Sequence, residues 1–344
     1  MEISEIKVDD YHKIIEGYDP TSGMRAIIAV HNTNRGPAVG GTRLFPYGSD
    51  KEAMNDVLRL SKGMTYKSAL ANIAFGGGKS VIIADPAQKT EELFRSFGRF
   101  VDSLKGVYIC AEDVNTSPAD MAIVRQETQN VLGLDGASGD PSPLTALGVV
   151  AAIRTTVKQL GLEMDSLSVT VQGIGHVGKI LTELLRAEGV TVYIADLRAD
   201  AVAELAEKTG AKVIKAEDAV SNPCDIFAPC AMGAVLNKET IPTLACKAVV
   251  GAANNQLAAP EDADILAKRG ILYAPDYLVN AGGIINVSFE HQKSEYNAGG
   301  ARAKVLEIGQ TLEEIYNLAR KEDILPIEAA NRIAESRFMD KKAG

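Results

Sequence analysis

A glycine-rich turn between a strand-like and a helical segment is the feature that most constrains the fold of this chain. Residues 173–178 read Gly-Ile-Gly-His-Val-Gly, directly after the β-rich residues 168–172 and before the helical residues 179–188. In this setting the first glycine permits a tight turn, the second lets the backbone approach a pyrophosphate, and the third lets helix and strand pack closely. Free N–H groups at the start of the helix then hold the phosphates. The segment predicts a dinucleotide site with contacts from Gly173, Ile174, Gly175, His176, Val177 and Gly178; a purely structural turn is the alternative.

An acid at the end of the next β-rich run indicates which dinucleotide is bound. Asp196 follows residues 191–195 and lies 23 positions after Gly173. A carboxylate there accepts hydrogen bonds from ribose hydroxyls and repels a 2′-phosphate, so NAD is favoured over NADP. Arg198 is the competing signal, because a guanidinium could bind that phosphate. The structural alternatives are a solvated loop cation for Arg198 and a helix N-cap for Asp196.

Short β-rich runs alternate with helical runs in the second half of the chain. A long helix is predicted over residues 144–160, and the β-rich runs lie at 167–172, 191–195, 211–214, 225–228, 248–252 and 271–274. Such alternation is typical of a parallel, doubly wound α/β sheet. Two charged helical segments, at 301–321 and 327–338, follow the last run.

The first half is predicted to be a separate α/β domain. Its strand-like runs lie at residues 24–30, 80–84 and 106–111, and its helical patterns at 50–71 and 90–104. Residues 134–143 are rich in Gly, Asp, Ser and Pro, which is typical of a domain boundary. We therefore expect a catalytic and oligomerisation domain over 1–135 and a Rossmann NAD-binding domain over 136–324. The C-terminal helix, about 325–344, is expected to pack back on the first domain.

Three charged residues of the first half lie in unusual surroundings. Lys79 follows three consecutive glycines, which carry an entropic cost and indicate a close approach of the backbone to another group. Lys67 lies 12 positions earlier, so both lysines could enter one semi-buried cleft. A neighbouring cation such as Lys67, together with closure of the cleft, would lower the pKa of Lys79 enough for it to act as a base. Asp113 ends a strand-like run, where α/β sites form. The ordinary alternative for each lysine is a surface charge.

Composition disfavours several other classes of function. Lys+Arg number 36 against 45 Asp+Glu, for a net charge of −9, and there are 10 Tyr, 8 Phe and no Trp. This balance makes nucleic acid an unexpected partner. The four Cys and four His are scattered, so no metal site is predicted. No apolar stretch approaches a membrane span, and residues 1–10 lack the apolar core of a signal peptide, which predicts a cytoplasmic protein without a membrane partner.

A series of ordered motifs carries a family resemblance. They are GGTR at 40–43, KGMTYK at 62–67, GGGK at 76–79, AEDV at 111–114, PSPLTA at 141–146, CDIFAPCA at 224–231, GAANNQ at 251–256 and YAPDYLVNAGGIINV at 273–287. With the glycine turn, they resemble the amino-acid dehydrogenase superfamily of glutamate, leucine, phenylalanine and valine dehydrogenases, most closely its leucine dehydrogenase branch. The resemblance implies two α/β domains separated by a cleft and a homo-oligomer, either a dimer or an octamer.

The resemblance also implies a reaction, which is the reversible oxidative deamination of an L-amino acid to a 2-oxo acid with NAD as hydride acceptor. Lys79 matches the catalytic lysine, and Asp113 matches the acid that receives the amino group. Lys67 matches the lysine that holds the α-carboxylate, and the other contacts near that group are Gly40, Gly41 and Met64. Thr145 matches the residue near the nicotinamide. Cofactor or substrate contacts, with turn or cap chemistry as the alternative, are implied for Asn254, Asn255, Asn280 and Asn286.

The substrate is expected to be apolar. Glutamate dehydrogenases place a lysine before the glycine pair, whereas this chain has Val39, and an unpaired acid buried there would be costly. The remaining pocket positions are also aliphatic, namely Ala111, Ile284 and Val287, which suits leucine, isoleucine or valine. Apolar walls separate one methylene from the next by only ~1–3 kcal/mol. A phenylalanine or tryptophan dehydrogenase therefore stays an alternative, and a non-catalytic dinucleotide-binding sensor is the alternative of another class.

Overall fold

The chain divides into two compact units. The computed structural model describes residues 1–134, 138–231, 233–291 and 296–339. The first unit comprises Met1–Gly139, Val287–Ala298 and Ala334–Gly344, and the second comprises Asp140–Asn286 and Gly299–Ile333. The boundary predicted between residues 135 and 136 lies outside the described residues. Each unit has a six-stranded sheet of its own.

The sheet of the first unit is mixed. Its strands are β1 (Glu2–Ile6), β2 (Lys13–Asp19), β3 (Met24–Asn32), β4 (Ala38–Phe45), β5 (Gly76–Ile83) and β6 (Tyr108–Glu112). They are arranged in the order β1-β2-β3-β5-β4-β6. The pairs β1–β2, β2–β3 and β3–β5 are antiparallel, whereas β5–β4 and β4–β6 are parallel. Strand β4 therefore lies between β5 and β6.

Helices cover both faces of this sheet. They are α1 (Asp50–Leu70), α2 (Glu91–Asp102) and α3 (Pro118–Val124). Helix α1 begins where the Ser49 side chain accepts the Glu52 N–H, a standard N-cap. One face of the sheet packs on α1 through a cluster formed by Ile14, Ile27, Ala29, Ala53, Val57 and Val81. The opposite face packs on aromatic side chains of α2, among them Phe94, Phe97 and Phe100.

Strands β1 and β2 and helix α3 were not predicted from the sequence, and two glycine-rich segments of the first unit also differ from the prediction. The glycines at 76–78 and Lys79 belong to β5 itself, whereas the strand was expected to begin at residue 80. The GGTR segment forms β4, which was not predicted as a strand. At these positions both strands contain consecutive glycines in place of the β-branched residues that usually indicate a strand. Glycine is disfavoured in strands unless a neighbour approaches closely. Lys79 consequently has a fixed face, and it pairs with Ala29 on the side covered by α1.

The sheet of the second unit is entirely parallel. Its strands are β7 (Ser168–Gln172), β8 (Thr191–Ala195), β9 (Lys212–Val213), β10 (Ile226–Pro229), β11 (Ala248–Val249) and β12 (Leu272–Tyr273). They are arranged in the order β12-β11-β10-β7-β8-β9. This is the doubly wound order, with the reversal between β7 and β10, where such sheets bind ligands. The predicted fold class is confirmed.

The remaining helices are α4 (Ser142–Leu160), α5 (His176–Ala187), α6 (Ala199–Thr209), α7 (Asp262–Lys268), α8 (Asp276–Val279), α9 (Gly282–Ser288), α10 (Ala298–Glu322) and α11 (Pro326–Met339). Of these, α4, α5, α10 and α11 begin and end within three residues of their predicted limits, and no limits were predicted for the other four. Helix α5 begins three residues before the predicted start, so Gly178 lies inside it. Among the described residues, no helix is both long and apolar enough to cross a membrane.

Candidate active site

Lys79 and Asp113 form a close ion pair in the first unit. The Nζ of Lys79 lies 2.6 Å from Oδ2 of Asp113. Lys79 is on β5 and Asp113 follows β6, so the two side chains meet over the intervening strand β4. Gly41 of β4 leaves room for that meeting: a Cβ there would lie 2.7 Å from the Asp113 Cβ and 3.2 Å from the Lys79 Nζ. A glycine is therefore required at position 41 for a steric reason, since any side chain there would collide with the charged pair.

The surroundings of this pair shift the pKa of both side chains. Burial lowers the pKa of Lys79, which is only 6% exposed, and the Arg43 guanidinium lowers it further, against the opposing effect of Asp113. Burial alone would raise the pKa of Asp113, but the charges of Lys79 and Arg43 outweigh burial and hold that pKa below its usual value. A lysine with a lowered pKa beside an ionised carboxylate is a candidate acid–base group.

Arg43 is a member of this site that the sequence analysis did not assign. Its Nε lies 3.3 Å from Oδ2 of Asp113, and its Nη1 lies 2.9 Å from Oδ2 of Asp56 on α1. Tyr47 donates a 2.7 Å hydrogen bond to the same Asp56 oxygen. The available signal was strand periodicity, because Arg43 lies two positions after Gly41 and therefore on the same face of β4.

The other predicted substrate residues of the first unit lie on the same strands and on α1. Lys67 and Met64 are half-buried in the last turns of α1, and Val39 of β4 is buried. Val39 pairs with Gly77 and Gly41 pairs with Ala111, so Val39 and Ala111 share the face of Lys79. Gly40 faces the other way, where a Cβ would lie 1.8 Å from the Gly78 carbonyl oxygen. The structure therefore brings most of these residues to the α1 side of the sheet.

In the second unit, the glycine turn has the shape of a phosphate cradle. Gly173 has a φ of +91°, and a Cβ there would lie 2.7 Å from the Ala231 Cβ. A Cβ at Gly178 would lie 2.0 Å from the Gly173 carbonyl oxygen, so helix and turn pack without a side chain between them. At Gly175, by contrast, no described atom lies within 4 Å of the position of a Cβ. Helix α5 begins at His176 and has no side-chain cap, so the N–H groups of its first turn are available for an anion. The turn therefore fits the pyrophosphate of a dinucleotide.

Asp196 is tied to this turn and to Arg198. Its Oδ2 accepts the Ile174 N–H at 2.8 Å. The Arg198 guanidinium donates to both oxygens, from Nε at 3.0 Å and from Nη2 at 3.1 Å. Hydrogen bonds from Arg198 hold the pKa of Asp196 far below its usual value. The N-cap of α6 is Arg198, so Asp196 is not the N-cap that was considered as its alternative.

The predicted asparagines gather after the later strands of the second unit. Asn280 Nδ2 donates to Asn254 Oδ1 at 2.7 Å and to the Ala252 carbonyl at 3.2 Å. Asn255 has a φ of +50°, and its carbonyl accepts the Ala234 N–H at 2.7 Å. Thr145 donates to the Pro141 carbonyl at 3.0 Å in the first turn of α4. Asn286, Ile284 and Val287 are on α9, where Asn286 is buried and the other two are partly exposed.

The described part of the chain contains no group of three or more His, Cys, Asp or Glu that could hold a metal ion. All four cysteines are free thiols; Cys110 is buried and the other three are half-buried. Burial raises the pKa of Cys110 to about 12, so its thiol is not a nucleophile near neutral pH. Acid–base and dinucleotide chemistry are therefore what these residues offer.

The glycine turn of one unit and the buried lysine–carboxylate pair of the other define a dinucleotide-dependent dehydrogenase that acts on amino acids. Residues 12–130 match the family model "Glu/Leu/Phe/Val dehydrogenase, dimerisation domain", and residues 193–343 match "Glutamate/Leucine/Phenylalanine/Valine dehydrogenase". The chain belongs to this family. It is an enzyme, an oxidoreductase acting on amino acids, rather than the non-catalytic sensor that the sequence left open.

Individual relatives differ in the amino acid for which they are named. Leucine dehydrogenase of Geobacillus stearothermophilus is 45% identical over 336 residues, which is 96% of this chain and 91% of the relative. Phenylalanine dehydrogenase of Caldalkalibacillus thermarum is 43% identical over 349 residues, 97% and 93% of the two chains. The crystal structure of L-tryptophan dehydrogenase from Nostoc punctiforme matches with a TM-score of 0.88 and 41% identity over 97% of each chain. The similarity therefore defines the reaction class and leaves the substrate side chain to be assigned.

Proposed function

We propose that this enzyme catalyses the reversible NAD-dependent oxidative deamination of leucine, isoleucine or valine to the corresponding 2-oxo acid, ammonia and NADH. The observation that carries the proposal is the buried Lys79 ammonium, 2.6 Å from Asp113 and flanked by Arg43. A lysine at an exposed position would stay protonated at neutral pH and could not accept a proton. Burial lowers the pKa of Lys79 and so favours its neutral form.

The proton transfers are assigned to this pair. Neutral Lys79 accepts a proton from the water that adds to the substrate iminium carbon, giving the carbinolamine. Asp113, kept ionised by its two cationic neighbours, accepts hydrogen bonds from the substrate amino group and takes part in proton transfer as ammonia leaves. In the reverse direction the same groups donate the protons. Both residues are held by a folded sheet, which orients them before the substrate arrives.

Lys67 is proposed to bind the substrate α-carboxylate. It lies in the last turn of α1, and α1 covers the face of the sheet that carries Lys79. An ammonium group binds a carboxylate by charge-assisted hydrogen bonds, and the backbone of Gly40 and Gly41 and the Met64 side chain are proposed to complete the contact.

The cofactor is proposed to be NAD, which supplies the hydride acceptor when bound. The N–H groups of the turn from Gly173 to Gly178 would hold its pyrophosphate, and Asp196 would accept hydrogen bonds from a ribose. Thr145, Asn254, Asn255 and Asn280 are proposed as further contacts. Asn280 supports this role, because its buried Oδ1 has no hydrogen-bond partner among the described residues and is free to accept one from a ligand.

An apolar substrate is supported by the aliphatic side chains at the four positions that the resemblance assigns to the substrate pocket, namely Val39, Ala111, Ile284 and Val287. Val39 is 3% exposed, and no cation takes its place before the glycine pair to neutralise a substrate γ-carboxylate. The second candidate is an aromatic amino acid. It is favoured by the small Ala111 and by the similarity to tryptophan and phenylalanine dehydrogenases.

We also propose a cytoplasmic homo-oligomer, a dimer or an octamer, with its contacts in the substrate domain over residues 1–135. The Rossmann domain is assigned to 136–324, and the C-terminal helix, about 325–344, to the first domain. Contacts within the first unit support the last assignment. Tyr66 of α1 donates to Glu335 at 2.7 Å, and the Arg337 Nη1 donates to the Leu70 carbonyl at 2.9 Å.

A panel of L-amino acids with NAD and with NADP tests the proposal by the rate of NADH or NADPH formation. We expect the highest kcat/KM with leucine, isoleucine or valine and NAD, and little turnover of glutamate. A higher kcat/KM for phenylalanine or tryptophan would replace the substrate assignment by the aromatic one. Absence of turnover with every amino acid, in protein that still binds NADH, would contradict the catalytic roles.

A further inference from the structure

A chain of alternating charges extends from the Lys79–Asp113 pair to helix α1. Lys79 and Arg43 both contact Oδ2 of Asp113, at 2.6 and 3.3 Å. The other arm of Arg43 contacts Oδ2 of Asp56 at 2.9 Å, and Arg59 contacts Oδ1 of Asp56 at 3.0 Å. The signs alternate at every step, so each charge is stabilised by its neighbours.

The inner members of this chain are shielded from solvent. The side chains of Asp56, Arg43 and Asp113 are 16%, 21% and 25% exposed, unlike the exposed surface pairs whose coupling is weak. Arg43 reaches two carboxylates on different elements, which requires the planar fork of a guanidinium. A lysine has a single nitrogen, so it lacks the two separated donors, Nε and Nη1, with which Arg43 contacts the two carboxylates.

The contacts also fix the orientation of the Asp113 carboxylate. Both cations contact Oδ2, and the Val114 N–H is a further hydrogen-bond donor to this carboxylate. Asp56 and Tyr47 in turn hold the guanidinium, with Tyr47 donating to Asp56 Oδ2 at 2.7 Å. Without Arg43, the only side-chain cation left in contact with Asp113 among the described residues would be Lys79, the group that must also exchange a proton.

We propose that Arg43 is a positioning residue for catalysis, which orients the Asp113 carboxylate and places a positive charge beside Lys79, and that Asp56 and Tyr47 anchor it. The inference rests on the proposed function, because it takes Lys79 as the base. Arg43 itself is not assigned to contact the substrate.

Several charged or titratable groups face Lys79, and their effects have different signs. Arg43 on β4 lowers the pKa of Lys79, whereas Asp113 after β6 and Asp56 on α1 raise it. His31 on β3 shares this face and has a pKa lowered to about 4 by burial, so it is neutral near pH 7. Lys67 on α1 is a further charged group on this side, whereas the Tyr108 hydroxyl on β6 contacts Ser80 and the Gly40 carbonyl on the other face of the sheet.

The test is the pH dependence of kcat/KM in Arg43→Gln and Asp56→Asn. Arg43→Gln removes a positive charge, so the pKa of Lys79 should rise and the limb of the profile that reports it should move by roughly one pH unit to higher pH. Asp56→Asn removes a negative charge, so the limb should move a smaller distance to lower pH. At neutral pH, Arg43→Gln should also lower kcat at least tenfold with a smaller change in KM.

Arg43→Lys and Arg25→Gln complete the set. Arg43→Lys keeps the charge but not the fork, so the limb should return to its wild-type position while kcat stays below wild type. Arg25 is paired with Asp50 at 2.7 Å on the exposed part of the same sheet, and Arg25→Gln should leave the profile unchanged. Truncation at position 43 opens onto a cavity of about 540 Å³ beside Arg43, Tyr47 and Asp56, so water can fill the space.

The outcomes separate the two proposals. A wild-type enzyme without turnover contradicts the proposed function before any variant is measured. An active wild type whose limb does not move in folded Arg43→Gln, or moves the same way in Asp56→Asn, overturns the role of Arg43 alone. Folding is checked by thermal melting and NADH binding. If Arg43→Gln does not fold, an unshifted limb with low kcat in Arg43→Lys and an acid shift in Asp56→Asn are still required.

Discussion

Lys79 lies on β5 and Asp113 directly follows β6, a strand that is not a neighbour of β5, yet the charged atoms of these residues, 34 positions apart, are 2.6 Å apart. Strand β4 separates β5 from β6, and two such steps span about 10 Å. The Lys79 side chain reaches Asp113 across β4 at Gly41, where no side chain stands between the two residues. The proposed catalytic pair therefore meets beside a glycine that carries no charge and is assigned no part in proton transfer.

Gly41→Ala should lower kcat, because a side chain at this position would disturb the contact between Lys79 and Asp113. The new Cβ would lie 2.7 Å from both the Asp113 Cβ and the Glu112 carbonyl oxygen, so one of them has to move. A displacement of about 1 Å at reacting groups can lower kcat by roughly a hundredfold. We expect a loss of that order in kcat, with NADH binding retained.

Gly63→Ala is the matched control for that substitution. Gly63 is an exposed residue of α1, and a Cβ there would meet no atom within 4 Å other than those of its chain neighbours and of its own helix backbone. Alanine is favoured over glycine inside a helix by about 0.5–1 kcal/mol, so this variant should melt at a slightly higher temperature with kcat unchanged. Equal kcat in Gly41→Ala and Gly63→Ala would show that Lys79 and Asp113 do not require a glycine at position 41.

Lys79→Ala should abolish turnover while the protein still binds NADH, because base and glycine turn belong to different units. Wild-type kcat/KM for deamination should rise with pH as Lys79 loses its proton, and the lowered pKa of Lys79 brings that rise below the range of a free lysine. Lys89→Ala is the control, since Lys89 is paired with Asp120 at 2.6 Å elsewhere in the unit. A Lys79→Ala enzyme that kept more than a tenth of wild-type kcat, a change under about 1.4 kcal/mol, would remove Lys79 as the base.

Lys67→Ala should chiefly raise KM for the amino acid. An ammonium that binds the α-carboxylate contributes to substrate and transition state alike, so KM rises and kcat/KM falls together. Lys62 is an exposed lysine one turn earlier on α1, and Lys62→Ala should leave KM unchanged. Steady-state kinetics of both variants with the best amino acid decides the matter; a similar KM for the two would argue against carboxylate binding by Lys67.

The second unit could be predicted from the sequence in considerable detail because its signals are local. The glycine turn, the apolar strands and the helical periods each act over a few residues, and α4 and β8 lie within two residues of their predicted limits. Strand β4 was missed because its glycines suppress the usual strand signal, although its neighbours require them. Arg43 was missed for a related reason. Its partners Asp56 and Asp113 are 13 and 70 positions away, and only the packing of α1 on the sheet and the order of the strands bring them together.

The contacts of Asp196 lead to the last prediction, which concerns the choice of cofactor. Its carboxylate holds the Ile174 N–H of the glycine turn and both arms of Arg198. A bound NAD ribose would share this carboxylate, whereas the 2′-phosphate of NADP would face its charge at close range. Charge-assisted hydrogen bonds contribute ~1.5–3 kcal/mol, so Asp196→Ala should lose tenfold or more in kcat/KM for NAD.

Arg198 determines how Asp196→Ala changes kcat/KM for NADP. Asp196→Ala releases its guanidinium, which is then available to pair with the 2′-phosphate, so kcat/KM for NADP should fall less than that for NAD, or rise. Arg198→Ala should keep the preference for NAD, because the carboxylate is still present. The measurement is kcat/KM for both cofactors in the wild type and the two variants. If the wild type already used NADP as well as NAD, Arg198 would outweigh Asp196, and the carboxylate at the end of β8 would not select the cofactor.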